Sequence, residues 1–291
     1  MTTFQKIIKY GAIAFGAYLC VIIISAIILA ITTIFGITVG MNAIEESFNN
    51  NNQTVIESVN YEYTGIEKLN IELGMCKLNI QNDEALTDKI KVEMKNTSNK
   101  MYCKQLGNEL KIDDDKNVSI NFLKNRNIVP EITIYIPQNQ EFKNVDLNVS
   151  INDVNIENLN TKKAKIETGG GRCIIKNIIT EQLDIEGGAG ETIVENSKTN
   201  RLELDTGIGS SIITAEILDT ADINSGVGRL ELNLLGSKEN YMIKPSVGIG
   251  GVVVDNQRAE NEKIIGNGNQ KVKIDAGIGE VAVNFIENQV L

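Results

Sequence analysis

Leu204-Asp205-Thr206-Gly207-Ile208-Gly209 is one copy of a pattern whose triplets begin at positions 150, 169, 188, 207 and 226, a constant step of 19. Ile185-Glu186-Gly187-Gly188-Ala189-Gly190 precedes it and Ile223-Asn224-Ser225-Gly226-Val227-Gly228 follows it at that spacing. Two earlier triplets, Ser150-Ile151-Asn152 and Gly169-Gly170-Gly171, extend the series. An apolar residue stands three before each triplet (Leu147, Ile166, Ile185, Leu204, Ile223), and another stands six after its start (Ile156, Ile175, Val194, Ile213, Leu232). A fixed period of roughly 20 residues with strand-like flanks predicts stacked coils, each burying its inner face only against its neighbours. The fold class expected is all-β, a parallel β-solenoid of about 19-residue coils.

The series extends outward in both directions. Gly74-Met75-Cys76 carries the same flanks, Ile71 and Ile80, and predicts a first coil inside a less regular region. That region alternates with period 2 at Ile90-x-Val92-x-Met94, Leu110-x-Ile112, Val118-x-Ile120-x-Phe122 and Ile132-x-Ile134-x-Ile136, the last between Pro130 and Pro137. Such alternation marks half-buried strands, here expected to cap the stack. Beyond 226, Ser246-Val247-Gly248 with Ile243 reads as the next triplet, and Gly277-Ile278-Gly279 follows after a gap longer than one repeat. Residues 257–269 then form a polar loop leaving one coil.

The N-terminus has another character. Lys6 and Lys9 are the only charged side chains before Glu45. An uncharged apolar run of this length can span a bilayer as a helix, and it is too long for the core of a cleavable signal peptide. Lysines before it, and Glu45 and Glu46 after it, orient the N-terminus inward. The expected organisation is a cytoplasmic N-terminus at 1–9, a transmembrane anchor at 10–41, a linker at 42–60, an irregular β cap with a first coil at 61–144, and a repeat solenoid at 145–286. The expected location is the cell membrane, single-pass, with the C-terminal domain extracytoplasmic.

Setting Lys6 and Lys9 aside leaves 26 basic against 38 acidic groups, a formal −12, which repels nucleic acid and anionic headgroups. Of four cysteines, Cys20 falls in the apolar run. Cys76, Cys103 and Cys173 allow one disulfide, such as Cys76 to Cys103, or three free thiols; the second reading is preferred.

Two polar columns accompany the repeat. Asn158, Asn177 and Asn196 lie eight after the triplet starts and suit a stacked corner. Asn148, Glu167, Glu186, Asp205 and Asn224 lie two before them. Successive carboxylates repel, so Glu167, Glu186 and Asp205 are either outward and solvated beside Lys165 and Arg172, the reading taken, or the ligands of a cation such as Ca²⁺. No cofactor is expected. Asp113-Asp114-Asp115 lacks the spacing of a calcium loop and reads as a solvated turn. Strands rather than a helix follow the glycines, which excludes a nucleotide-phosphate loop.

The chain has no histidine and no tryptophan, with 5% aromatics. Imidazole-dependent nucleophile and metal chemistry is therefore excluded, and sugar-stacking platforms are scarce, so no enzyme is expected. The strand Glu131-Ile132-Thr133-Ile134-Tyr135-Ile136-Pro137, then Val145-Asp146-Leu147-Asn148-Val149-Ser150, and the repeated Leu-x-Ile-x-[Thr/Ser/Gly]-Gly-x-Gly units resemble a bacterial membrane-anchored "putative adhesin" family of unknown function, to which LiaG-like envelope proteins are similar. The resemblance covers roughly 60–286 and departs from the pattern at Ser150-Ile151-Asn152, where the family prefers glycine. It implies a glycine-repeat β-solenoid at the cell surface and carries over no catalytic residue. The expected function is a non-enzymatic interaction or regulatory scaffold with an envelope protein partner; the alternative is a surface adhesin for host or matrix ligands.

Overall fold

The computed structural model describes residues 55–98, 101–114 and 129–287. The expected anchor at 10–41, its flanks, Asp115 and the strand expected at Val118–Phe122 lie outside these residues. Among the described residues no helix is long and apolar enough to cross a membrane.

The fold is all-β. The first strands are β1 (Val55–Thr64), β2 (Lys68–Met75), β3 (Lys77–Asn82), β4 (Lys89–Ser98), β5 (Tyr102–Leu106), β6 (Glu109–Asp113), β7 (Glu131–Ile136) and β8 (Glu141–Phe142). The repeat follows as β9 (Asn144–Glu157), β10 (Asn160–Lys176), β11 (Ile179–Leu235), β12 (Tyr241–Val254), β13 (Gln257–Ala259) and β14 (Gln270–Ile286). Together they make one 14-stranded sheet that nearly closes on itself.

The sequence period is the hydrogen-bond register. β9 and β10 pair in parallel with Leu147 opposite Ile166, and β10 pairs with β11 with Ile166 opposite Ile185 and Gly171 opposite Gly190. The 57 residues of β11 hold three whole repeats. Alternation then sorts the side chains: Leu147, Ile166, Ile185, Leu204 and Ile223 are fully buried, as are Ile156, Ile175, Val194, Ile213 and Leu232. Removing such columns of aliphatic side chains from water contributes roughly 1.5–3 kcal/mol each, the main term holding the stack.

Two corners turn the chain within a repeat. At the glycine corner, a Cβ on Gly188, Gly207 or Gly226 would collide with the carbonyl of the glycine one repeat earlier. At the second corner Asn158, Asn177 and Asn196 adopt φ of 54°, 53° and 48°, the left-handed region that asparagine tolerates. Asn177 Nδ2 donates to Asn158 Oδ1 at 2.8 Å, as stacked corner asparagines should. A threonine column absent from the sequence reading completes this corner. The Thr161, Thr180 and Thr199 hydroxyls each donate to the carbonyl two residues on, at 3.0, 3.0 and 2.8 Å.

Gly74 lies in β2. Met75 lies opposite Ile151, and β2 and β3 both pair in parallel with β9. β6 and β7 add a parallel layer to β2 and β3, beyond which β5, β4 and β1 run antiparallel. β1 starts at Val55, so part of the linker expected to reach 60 is strand paired with β4.

Three expectations are corrected. First, the strands do not stack in chain order: β14 sits between β11 and β12. Gly228 faces Gly279, and Gly279 faces Gly250. Second, the triplet in β12 is therefore Gly248-Ile249-Gly250, not Ser246-Val247-Gly248, and Pro245 takes the place opposite Ile274. Third, 257–269 is more than a loop. β13 pairs antiparallel with β12, and Asn261 takes both sides of Val247, accepting from its N–H at 2.8 Å and donating to its carbonyl at 2.9 Å. A side-chain amide in place of a neighbouring strand blunts an exposed edge.

Candidate functional site: a glycine-floored groove

An open groove of about 910 Å³ runs along the stack over the glycine corner. Its floor is backbone, because Gly169, Gly188, Gly207, Gly226 and Gly277 bring no side chain. One wall is the acidic column, which the register extends to Glu72–Asn148–Glu167 at one end and Asn224–Asp275 at the other.

The carboxylates here find nitrogen partners. Lys165 pairs with both Glu167 and Glu186, the second at 3.2 Å, and these hydrogen bonds hold its ammonium well above the usual lysine range. Asn148 Nδ2 donates to Glu167 Oε2 at 2.6 Å, and Asn224 Nδ2 donates to Asp205 Oδ1 at 2.7 Å. Lys273 meets Asp275 at 2.5 Å and Asp222 at 3.6 Å, with its pKa raised, chiefly by Asp275. Thus Glu167, Glu186 and Asp205 lie in one outward column, as their alternation with Ile166, Ile185 and Leu204 predicts. Among the described residues no group of three acidic or thiol side chains is arranged to hold a metal ion.

This arrangement predicts a small mutational effect. Glu186→Ala should change stability by less than about 0.5 kcal/mol, since the side chain is half exposed and shares Lys165 with Glu167. Thermal unfolding with and without millimolar calcium should give the same Tm for wild type and variant. A calcium-dependent rise in wild type alone would establish the cation reading over the solvated one.

Two residues near the groove were misread in the sequence. Asp114, expected in a solvated turn, is buried, and its Oδ2 accepts the Gly74 N–H at 2.8 Å. Asp113 lies in β6 and accepts the Tyr102 hydroxyl at 2.8 Å. The acidic run ties the cap to the first coil. Cys76, Cys103 and Cys173 are free and buried. Burial pushes the Cys76 and Cys173 thiols up to about 12 and that of Cys103 to about 11, so all three stay protonated near neutral pH.

An apolar row directly follows the floor glycines in the chain, three residues on from the column positions. Ile208, Val227, Ile278 and Ile249, the residues between the paired glycines, are 47%, 43%, 47% and 67% exposed. The register places them on consecutive strands. The recurrence of a β-branched residue inside Gly-x-Gly was the signal that could have found this row.

An all-β sheet built on a glycine register of this period, with an open groove, defines a class of β-repeat protein. The sequence model of the Toastrack DUF4097 family matches residues 66–249, and the chain belongs to that family. It is also similar to three solved structures, none of which exceeds 19% identity. A "putative cell adhesion protein" from Clostridium sporogenes is 19% identical over 79% of this chain and 100% of that one, with a TM-score of 0.37. A "putative adhesin" from Bacteroides fragilis is 13% identical over 78% and 97%, at 0.42. A "putative lipid binding protein" from Parabacteroides distasonis is 13% identical over 79% and 97%, at 0.33. A search of curated proteins finds no match.

Proposed function

We propose that this protein is a non-enzymatic interaction or regulatory scaffold of the bacterial cell envelope. On this reading the parallel repeat register is a β-solenoid, held outside the membrane by the anchor at 10–41, that contacts a second envelope protein. The observation that carries the proposal is the surface of the described residues: parallel ladders and a long open groove, with no enclosed pocket of converging acid, base and nucleophile among the described residues. Family membership, the absence of histidine throughout the chain and a net charge of −10 support it.

The test has two parts. Protease added to wall-stripped cells should digest the β domain and leave a short N-terminal fragment in the membrane; a mature chain starting near residue 35 would contradict the anchor. A photo-crosslinking residue at Leu218, which is 40% exposed, should capture an envelope membrane protein in living cells. If no protein is captured while beads coated with the purified chain adhere to host cells or matrix, the protein is an adhesin instead.

A further inference from the structure

The apolar row and the acidic column stand on either side of the first triplet glycine in sequence, and they overlap on the coils of Asp205–Ile208 and Asp275–Ile278. Ile208, Val227, Ile278 and Ile249 lie outside the core, on consecutive strands about 4.8 Å apart. Four exposed β-branched residues in one line form an apolar ridge of the kind that marks contact surfaces. Ala189 and Gly170 continue the line on the next two strands, so the ridge has a defined end.

Charge selects what can lie there. Two positions before the triplet glycines stand Glu167, Glu186, Asp205 and Asp275, with Asp222 behind them; Lys165 meets Glu167 and Glu186, Lys273 meets Asp222 and Asp275, and Asp205 accepts from the Asn224 amide. On the coils that carry both, Asp205 with Ile208 and Asp275 with Ile278, the strip is apolar on one side and negative on the other. A second copy of this chain, itself at −10, would set carboxylates against carboxylates, and an anionic lipid or nucleic acid surface would be repelled likewise. An extended polypeptide projects successive side chains to opposite sides. One that alternates aliphatic residues with lysine or arginine would place its apolar side chains on the ridge and its cations on the column. The glycines leave room for its backbone.

We infer that this strip is the docking surface for an extended, basic and aliphatic segment of a partner protein. The inference rests on the scaffold reading above and specifies its contact. The ridge supplies desolvated apolar area, and the carboxylates supply orientation and encounter rate. Asn148 and Asn224 occupy column positions where carboxylate would otherwise continue, and each donates to a neighbouring acid. They keep those carboxylates directed along the groove.

The test uses the full chain in nanodiscs of zwitterionic lipid, with empty nanodiscs as blank. Three fluorescent synthetic dodecapeptides serve as probes, alternating Lys/Val, Lys/Ser and Glu/Val, at physiological salt. Lys/Val should bind at least tenfold more tightly than either of the others. The triple variant Ile208→Ser/Val227→Ser/Ile278→Ser leaves every charge in place and changes only exposed side chains, so it should fold with an unchanged Tm and bind Lys/Val at least tenfold more weakly. Asp205→Asn/Asp275→Asn should weaken binding several-fold and flatten its salt dependence. Equal binding of Lys/Val and Lys/Ser, or a triple variant that binds like wild type, overturns the inference. Binding of neutral wall glycan fragments in place of Lys/Val also overturns it. Peptide binding without any envelope protein captured at Leu218 leaves the surface standing and removes the cellular role. Capture that survives the triple variant does the reverse.

Discussion

Leu204→Asp is expected to lower the free energy of unfolding by about 4 kcal/mol or more, read from urea denaturation of the full chain in detergent. Leu204 is fully buried in the column between Ile185 and Ile223. The substitution removes an aliphatic side chain from a packed interior and puts an unpaired carboxylate in its place. Both neighbours in the stack lose a contact, because each repeat buries its inner face on the repeats beside it. The adjacent outward position provides the control. Asp205→Ala should cost less than about 1 kcal/mol, since it removes one half-exposed hydrogen bond from Asn224. Equal losses at the two positions would mean that the alternation does not sort inside from outside.

Gly209→Ala carries the second large effect, about 3 kcal/mol or more, with no change of charge or polarity. Gly209 has φ +149°, and a Cβ there would collide with the carbonyl of Gly190 on the neighbouring strand. Both carbonyl and Cβ belong to backbones fixed by the ladder, so neither can give without breaking parallel hydrogen bonds. Gly107 separates the two causes. It has φ +66° and nothing within 4 Å of the added carbon, so Gly107→Ala should cost only about 1–2 kcal/mol of backbone strain. If both variants melt alike, strand proximity is not what demands glycine in the triplets.

Much of this architecture was legible because one period governs both chemistry and geometry. Glycine, the two apolar flanks and the corner asparagine recur with a single spacing, and the sheet register adopts the same one. The order of the last strands was not legible, for a physical reason. Lys244 and Lys273, Val252 and Val281, and Val254 and Val283 occupy matching positions. Either segment would satisfy the neighbours of β11, and side-chain chemistry gives no ranking. The misplaced triplet at Ser246 has a related cause. A slip of two residues keeps every side chain on its own face, so Ile243 could stand for the flank that Pro245 holds. At the candidate site, the carboxylates announced themselves as a column. The ridge did not, because a β-branched residue within a strand pattern reads as core until the glycine corner is seen to turn it outward.

The place of β14 bears on how the protein is made. From β9 through Leu235, a chain synthesised or exported from its N-terminus can add each repeat to the one before it, every new strand finding its template already present. That order ends at Tyr241. The segment that emerges next, β12, is not the neighbour of β11 in the finished sheet; it docks on residues that appear only later, from Gln270 onward. The last two layers must therefore close together, after the final strand is free, and β12 emerges with its eventual template still unmade. The stretch 257–269, with β13 held on β12, carries the chain back far enough for β14 to enter the stack ahead of β12. The register allows zipper-like assembly from β9 through β11 and requires a concerted step at the distal end, so the C-terminal residues act as the keystone rather than the last course.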